Sequence, residues 1–118
     1  MRDFQDYRVW EKVHHLALAV YAATVDFPRE GPYGLRSETR SSCASVPANI
    51  ANGCGRDTDA DFARFLEISA GSACKLENYL LLAADLDLLE SSKHARLDTD
   101  VQDVKRMLTM LKRRLRNG

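Results

Sequence analysis

Apolar side chains recur along four stretches of the chain at alternating steps of three and four residues. That spacing places them on one face of an α-helix, since one helical turn takes 3.6 residues. Nothing in the chain alternates apolar and polar residues at period two over a convincing length, so a β-sheet is not expected. The pattern therefore predicts four helices, over about residues 7–26, 35–52, 59–88 and 92–115.

The apolar stripes also predict which side chains face the core. The third helix has the clearest stripe, because its inward positions alternate steps of four and three from Phe62 to Ala83. In the first helix, Leu16 and Tyr21 widen the stripe. The residues expected inward are Trp10, Val13, Ala17, Val20 and Thr24; Leu35, Thr39, Cys43, Val46 and Ile50; Phe62, Leu66, Ser69, Ala73, Leu76, Leu80 and Ala83; and Leu97, Val101, Val104, Leu108, Leu111 and Leu115.

Short breaks separate these helices. The stretches "FPREGPYG", "NGCGRDT" and "DLDLLESS" contain prolines, glycines and polar residues that end helices. Thr58 or Asp59 can cap the third helix at its positive N-terminal end. Four long helices with short connections are typical of an all-α, antiparallel up-down four-helix bundle. The chain of 118 residues fits one such domain, over residues 1–118.

The composition is that of an ordinary globular protein, with 45% hydrophobic and 29% charged residues. The N-terminal stretch "MRDFQDYRVWEK" is polar and no run of about 18 apolar residues occurs, so neither a signal peptide nor a membrane span is expected. The three cysteines, Cys43, Cys54 and Cys74, form no C-x-x-C pair. Because structural disulfides belong mainly to oxidising compartments, we expect a reduced cytoplasmic protein with no membrane partner.

Charge is balanced over the whole chain but unevenly distributed along it. Seventeen basic and seventeen acidic residues give a formal net charge of zero, which argues against non-specific coating of nucleic acid. Residues 105–118, by contrast, contain basic residues and no acid. The basic residues are Lys105, Arg106, Lys112, Arg113, Arg114 and Arg116. They lie outside the apolar seam and are candidates for contacting phosphate groups, although cations at a helix C-terminus also stabilise the helix dipole without any ligand.

No set of residues predicts a catalytic site or a metal site. His14 and His15 are adjacent, so they point about 100° apart on a helix, and no H-E-x-x-H motif occurs. Cys43 and Cys74 are expected to act as small apolar side chains on helix faces. Cys54 lies in the loop "NGCGRD" and is expected to be the most exposed and reactive cysteine. We therefore expect no catalytic residue, metal or cofactor, and an enzyme that uses Cys54 or a histidine is the least supported hypothesis.

The stretch "SSCASVPANIANG", residues 41–53, reads as a helix of small residues with a proline inside it. Pro47 removes one backbone hydrogen bond and crowds the carbonyl of Cys43, at a usual cost of about 3 kcal/mol. A bend that lets the helix follow its neighbours makes such a proline tolerable. We expect a kinked, closely packed helix in which Asn49 or Asn52 bonds the freed carbonyls.

Several segments resemble a known family. The stretch "FPREGPYGLRSETRSSCASVPANIANGCGR", followed by "FARFLEISAGSACKLENYL" and "KRMLTMLKRRL", is similar to the four-helix bundle family of 23S rRNA-intervening-sequence proteins. The similarity runs from about Phe4 to Leu115. Its most specific positions, expected to be structural, include Pro28, Tyr33, Gly34, Leu35, Pro47, Asn49, Gly53, Gly71 and Ser72.

This resemblance implies a small bacterial protein that assembles as a homopentamer of antiparallel four-helix bundles. Relatives that accompany diversity-generating retroelements bind nucleic acid and a reverse transcriptase through a basic surface of the pentamer. The expected partners are therefore other copies of the chain, and RNA, DNA or a reverse transcriptase. Three positions depart from the family pattern, where a second arginine and two acids are usual: Ser41, Asn52 and Lys75. If those positions form an ionic network between the second and third helices, this chain has rewired it.

Two functional hypotheses follow from these observations. The first is a non-catalytic oligomeric scaffold whose basic fourth helix binds nucleic acid or a nucleic-acid enzyme. The second is a structural or protein-interaction module without affinity for nucleic acid. In that second case, aromatic residues such as Phe4, Tyr7 and Trp10 would serve subunit contacts.

Overall fold

Four α-helices make up most of the described chain. The computed structural model describes residues 2–29 and 34–117. Within these ranges the helices are α1 (Arg8–Ala23), α2 (Leu35–Cys54), α3 (Asp59–Asp85) and α4 (Ser91–Asn117), preceded by a 3₁₀ turn at Phe4–Asp6, and no strand is present. The fold class is all-α, as the apolar periodicity predicts. None of the described helices is both long enough and apolar enough to cross a membrane.

One side chain of α2, that of Arg40, binds the end of α1, which lies three residues before the predicted end. The Thr24 hydroxyl donates to the carbonyl of Val20 at 2.8 Å and accepts from Nε of Arg40 at the same distance. Nη2 of Arg40 also donates to the carbonyl of Tyr21 at 2.9 Å. The last carbonyls of a helix need partners from outside it, and Arg40 of α2 supplies them here.

The end of α3, at Asp85, also comes three residues earlier than predicted. The amide of Leu88 donates to the carbonyl of Ala83 at 2.9 Å, and the amide of Asp87 donates to the carbonyl of Ala84 at 3.0 Å. This pair of bonds is a Schellman motif, with Asp87 in the left-handed region at a φ of 60°. Leucines continue beyond the motif, so apolar periodicity alone extends the helix too far.

The contact between α2 and α3 is more extensive than that between any other two described helices. At Gly53 the helices approach so closely that an added Cβ would lie 2.7 Å from Cδ1 of Phe62 and 3.0 Å from Cβ of Phe65. Further along, the Ser69 hydroxyl donates to the carbonyl of Val46 at 2.8 Å within the core. Small side chains are required on this seam because larger ones would hold the two backbones apart.

The predicted inward stripes of α3 and α4 face the core. All seven predicted positions of α3 are buried, and in α4 only Leu115 is partly exposed. In α2, Leu35 is likewise only partly buried. The buried apolar residues of the described chain are Val9, Val13, Leu16, Val20, Phe27, Cys43, Val46, Ile50, Cys54, Phe62, Ala63, Leu66, Ala73, Leu76, Leu80, Ala83, Leu89, Leu97, Val101, Val104, Leu108 and Leu111.

The predicted inward face of α1 is confirmed at Val13, Val20 and Thr24, which are buried, but not at Trp10 and Ala17. Val9 and Leu16 are buried, whereas Trp10 and Ala17 are only partly buried. Two apolar stripes overlap on this helix, and periodicity does not decide which of them faces the core. The Trp10 ring instead stacks on His14, with ring centroids 4.8 Å apart.

Asn49 bonds a carbonyl inside α2, as expected, but it is not the carbonyl that Pro47 frees. Its Nδ2 donates to the carbonyl of Ser45 at 2.8 Å. Pro47 removes the donor that would reach the carbonyl of Cys43, four residues before it. Asn52 is exposed at the end of the helix.

The close approach of α2 and α3 predicts opposite effects for two glycine substitutions. Gly53→Ala is expected to lower the free energy of unfolding by roughly 1–3 kcal/mol, because the methyl group meets Phe62 and Phe65. Gly71→Ala is the matched control, because its methyl group meets nothing within 4 Å and adds up to about 1 kcal/mol of helix propensity. Urea unfolding followed by circular dichroism measures both, and equal stability of the two variants would contradict the predicted clash.

Candidate nucleic-acid interface

Four of the six basic residues predicted near the C-terminus form ion pairs with acidic residues of the same chain. Nζ of Lys105 lies 2.8 Å from Oε1 of Glu77 on α3. One carboxylate oxygen of Glu67, also on α3, lies 2.8 Å from Arg116 and 3.5 Å from Lys112. The fourth, Arg106, pairs with Asp103 one turn earlier on α4. These cations link helices or support α4, and their charge is partly offset by the acids.

The pair between Lys105 and Glu77 shifts the pKa of both partners. The hydrogen bond from Lys105, together with a second from Gln102, lowers the pKa of Glu77. The same bond to Glu77 raises the pKa of Lys105. Both shifts favour the charged forms, so this pair remains ionised near neutral pH and ties α4 to α3.

Arg113 and Arg114 differ from the other four. Both side chains are exposed, and neither forms an ion pair with any residue in the ranges 2–29 and 34–117. Each guanidinium group presents five N–H donors in a planar arrangement, which suits phosphate oxygens. The two side chains are consecutive on the helix and line different grooves. Within the predicted basic segment, these two residues are therefore the strongest candidates for contacting nucleic acid.

A groove of about 550 Å³ lies beside Arg114, between the beginning of α1 and the last turns of α4. Residues of α4 contribute Met107, Met110, Leu111 and Arg114 to its lining. The opposite side consists of Asp6, Tyr7, Arg8 and Val9. The groove thus combines an apolar floor with one guanidinium group on each side.

Tyr7 forms the inner edge of this groove. Its ring meets the ring of Phe62 edge-on, with centroids 5.5 Å apart. Burial raises the pKa of the Tyr7 hydroxyl, and the nearby charges of Arg2 and Arg114 partly oppose that shift. Like Phe4 and Trp10, Tyr7 packs against its own chain, so these aromatic residues are less available for subunit contacts than the second hypothesis expects.

Arginines from outside α4 also lie at this end of the bundle, and no local sequence pattern predicts them there. Arg8 faces Arg114 across the groove, and it carries no sequence motif that would connect it with α4. The guanidinium groups of Arg56 and Arg64 both lie over the ring of Phe65, at 4.5 and 5.1 Å from its centroid. Such cation–π contacts stabilise by about 0.5–1 kcal/mol at exposed sites, and only the fold brings these residues together.

The cysteines are placed differently from the prediction. Cys54, expected to be exposed and reactive, is buried because α2 continues through it and turns it inward. Burial raises the pKa of Cys54, and it raises the pKa of Cys43 to about 12. Cys74, expected to pack as a small apolar residue, is the exposed cysteine. Neither buried thiol is an activated nucleophile, because a thiolate is disfavoured where desolvation raises the pKa.

His14 and His15 are exposed on α1. Their ring centroids lie 5.9 Å apart, with the planes inclined at 63°. Across the described part of the chain, no three His, Cys, Asp or Glu residues are grouped as metal ligands.

The positions singled out as structural have different environments. Gly34 is the buried N-cap residue of α2, Leu35 begins that helix, and the Ser72 hydroxyl lies 2.8 Å from that of Ser45. Pro28 and Gly71 are exposed. Tyr33 lies outside the described residues. Among the glycines of this set, a steric requirement is clear at Gly53 and absent at Gly71.

Comparison with known proteins gives a family for this fold. The sequence model of the 23S rRNA-intervening sequence protein matches residues 5–110, which is most of the chain. The chain belongs to the 23S rRNA-intervening sequence protein family. Its fold is similar to the crystal structure of a protein of unknown function from the S23 ribosomal protein family of Bacteroides thetaiotaomicron VPI-5482, with a TM-score of 0.76. The two are 21% identical over 85% of this chain and 94% of that chain. No curated protein matches the chain.

Within this member of the 23S rRNA-intervening sequence protein family, neutral hydrogen bonds connect the middle of α2 and α3. The bond between Ser45 and Ser72 and the bond from Ser69 to the backbone of Val46 involve no charged group. The three positions at which the resemblance implies a departure from the family pattern are all exposed: Ser41, Asn52 and Lys75. The packing of this seam therefore relies on small polar side chains in the core rather than on ions at those three positions.

The burial of the cysteines predicts their relative reactivity. Under native conditions at pH 8, we expect 5,5′-dithiobis(2-nitrobenzoic acid) to modify Cys74 rapidly, and Cys43 and Cys54 only upon unfolding. Absorbance of the released thionitrobenzoate measures the fast and slow phases. Cys74→Ser should remove the fast phase, and a fast phase that survives this substitution would contradict the burial of the other two thiols.

Proposed function

We propose that the protein is a non-catalytic cytoplasmic scaffold that assembles as a homopentamer of antiparallel up-down four-helix bundles. Each chain binds RNA or DNA through the basic end of α4, alone or together with a nucleic-acid enzyme such as a reverse transcriptase. The observation that carries this proposal is the pair Arg113 and Arg114, two exposed cations without an acidic partner among the described residues.

The surroundings of this pair support a phosphate-binding role. Arg8 lies across the groove from Arg114, so cations from two helices meet at one end of the bundle. Lys112 and Arg116, although paired with Glu67, remain within the same last turns of α4 and add positive potential. A phosphate group of a flexible nucleic acid can also displace a surface carboxylate from such cations, because exposed ion pairs contribute only about 0–1 kcal/mol to stability.

The ion pairs between α3 and α4 support the antiparallel order of these helices. Glu67, early in α3, pairs with Arg116 near the end of α4. Glu77, ten residues later, pairs with Lys105, eleven residues earlier in α4. A contact partner later in α3 is thus paired with one earlier in α4, as expected for two antiparallel helices of an up-down bundle.

Exposed apolar surface supports assembly of several copies. On α1, Leu18 and Tyr21 are 59% and 41% exposed and share one outward stripe, and Val25, just after the helix ends, is 55% exposed. The adjacent helix α2 carries no charged residue from Ser41 to Gly55, although its outward side faces solvent in the single chain. An apolar stripe beside an uncharged helix face is the composition expected where another protein surface packs.

The same apolar surface favours the second hypothesis, a protein-interaction module without nucleic-acid affinity. In that case Arg113 and Arg114 serve only to complement the negative C-terminal end of α4, as cations commonly do. Reversal of these two charges should lower nucleic-acid affinity under the first hypothesis only. Binding measurements therefore separate the two hypotheses.

Charge reversal at the end of α4 tests the proposed function. Arg113→Glu with Arg114→Glu should reduce affinity for a fluorescein-labelled RNA or DNA at least tenfold, because attraction to phosphate is replaced by repulsion. The matched control is Lys93→Glu with Arg96→Glu, which changes the net charge equally at the opposite end of α4. Fluorescence anisotropy at several salt concentrations measures both variants, with a slope of about 0.7–0.9 log units per phosphate contact.

Equal loss in both double variants, or no binding by the parent protein, would contradict the proposed interface. Light scattering of the same samples provides the control for assembly. Five chains of 13.3 kDa give about 66 kDa for the pentamer, and a monomer would contradict the assembly. Circular dichroism establishes that each variant keeps its helices.

A further inference from the structure

We infer that the groove between α1 and α4 holds an unstacked base, so that the protein prefers single-stranded nucleic acid over a duplex. This inference rests on the proposed nucleic-acid function and specifies which form of nucleic acid the same site recognises. It is carried by the juxtaposition of an exposed methionine, a half-buried tyrosine and two arginines around one groove.

The floor of the groove is apolar and open. Met110 is 61% exposed, the most exposed large apolar side chain of the described chain. Met107, one turn earlier on α4, and Leu111, the next residue, belong to the same lining. A duplex buries its bases in the stack and offers only phosphate to such a surface. A single strand can turn a base outward, and its flat apolar face then covers Met110.

Methionine suits this contact because its thioether is polarisable and packs favourably on aromatic rings. Tyr7 bounds the groove on the other side, and its position is fixed by the edge-on contact with Phe62 at 5.5 Å. The base therefore lies against a flexible side chain on one side and a fixed ring edge on the other.

The charges around the groove match a nucleotide rather than an apolar ligand. Arg8 and Arg114 line opposite sides, and neither forms an ion pair with another residue of the described ranges. Their guanidinium groups can bind the phosphates on either side of the base. Asp6 also lines the groove, and its carboxylate accepts hydrogen bonds from the exocyclic amino groups that adenine, cytosine and guanine carry.

Three probes of the same length test this inference: a single-stranded 12-nucleotide RNA, its duplex and an abasic single strand. The full-length protein should bind the single strand about tenfold more tightly than the abasic strand, because stacking of one base typically contributes that much. Affinity for the duplex should also be lower than for the single strand. Fluorescence anisotropy at fixed salt measures all three.

Met110→Ala should weaken binding of the single strand several-fold and leave binding of the duplex and the abasic strand unchanged. Met110→Phe, which keeps a stacking surface, should retain the preference for the single strand. Leu86→Ala is the matched control, because Leu86 is 57% exposed at the opposite end of the bundle. Both residues are exposed, so the truncations leave the core intact.

Equal binding of all three probes, abolished by Arg113→Glu with Arg114→Glu, would overturn the base pocket and leave the proposed nucleic-acid function in place. Absence of binding to every probe would overturn both. Binding of an acidic peptide in the groove without any binding of RNA would likewise overturn both, since it would assign the groove to a protein partner.

Discussion

The close approach of α2 to α3 is the constraint on which the rest of the bundle depends. Gly53 brings the α2 backbone against Phe62 and Phe65, and the Ser69 hydroxyl reaches the backbone of Val46 inside the core. Each buried hydrogen bond contributes only about 0.5–1.5 kcal/mol, but leaving one of these groups unpaired would cost more. The seam therefore fixes the register of the two helices. Helices α1 and α4 pack around them by apolar contact, supplemented by polar contacts such as Arg40–Thr24 and Lys105–Glu77.

This arrangement also explains where binding chemistry is available. The last turns of α4 extend along α3, where Glu67 and Glu77 hold Lys112, Arg116 and Lys105. On the other side α4 meets the beginning of α1, where the contact is less extensive and the groove opens. Arg114 faces that groove, so acidic partners from α3 do not reach it. Which cations of α4 form ion pairs with α3 therefore follows from the neighbour that each side of α4 faces.

Much of the fold, but less of the candidate site, could be predicted from the sequence. The alternating three- and four-residue spacing from Phe62 to Ala83 indicates the inward face of a helix and nothing else. The run of basic residues from Lys105 onward is likewise evident in the sequence. On α1, Trp10 and Ala17 were wrongly predicted to face inward because Trp10 and Val9 begin two overlapping stripes. Cys54 was misplaced because a glycine on either side predicted a loop, whereas α2 continues through it. The ion pairs and the groove bring together residues that are distant in sequence. A local sequence pattern therefore does not predict which cations pair with an acidic residue.

Residue-resolved amide hydrogen exchange of the native protein tests most directly whether the α2–α3 seam holds the fold together. The slowest amides should belong to α2 and α3, around Val46, Ile50, Leu66 and Ser69. Amides of α1 should exchange through openings of lower free energy, because α1 has the less extensive contacts with both neighbours. Amides of α1 that are protected as strongly as those of α3, or rapid exchange around Val46, would contradict this prediction.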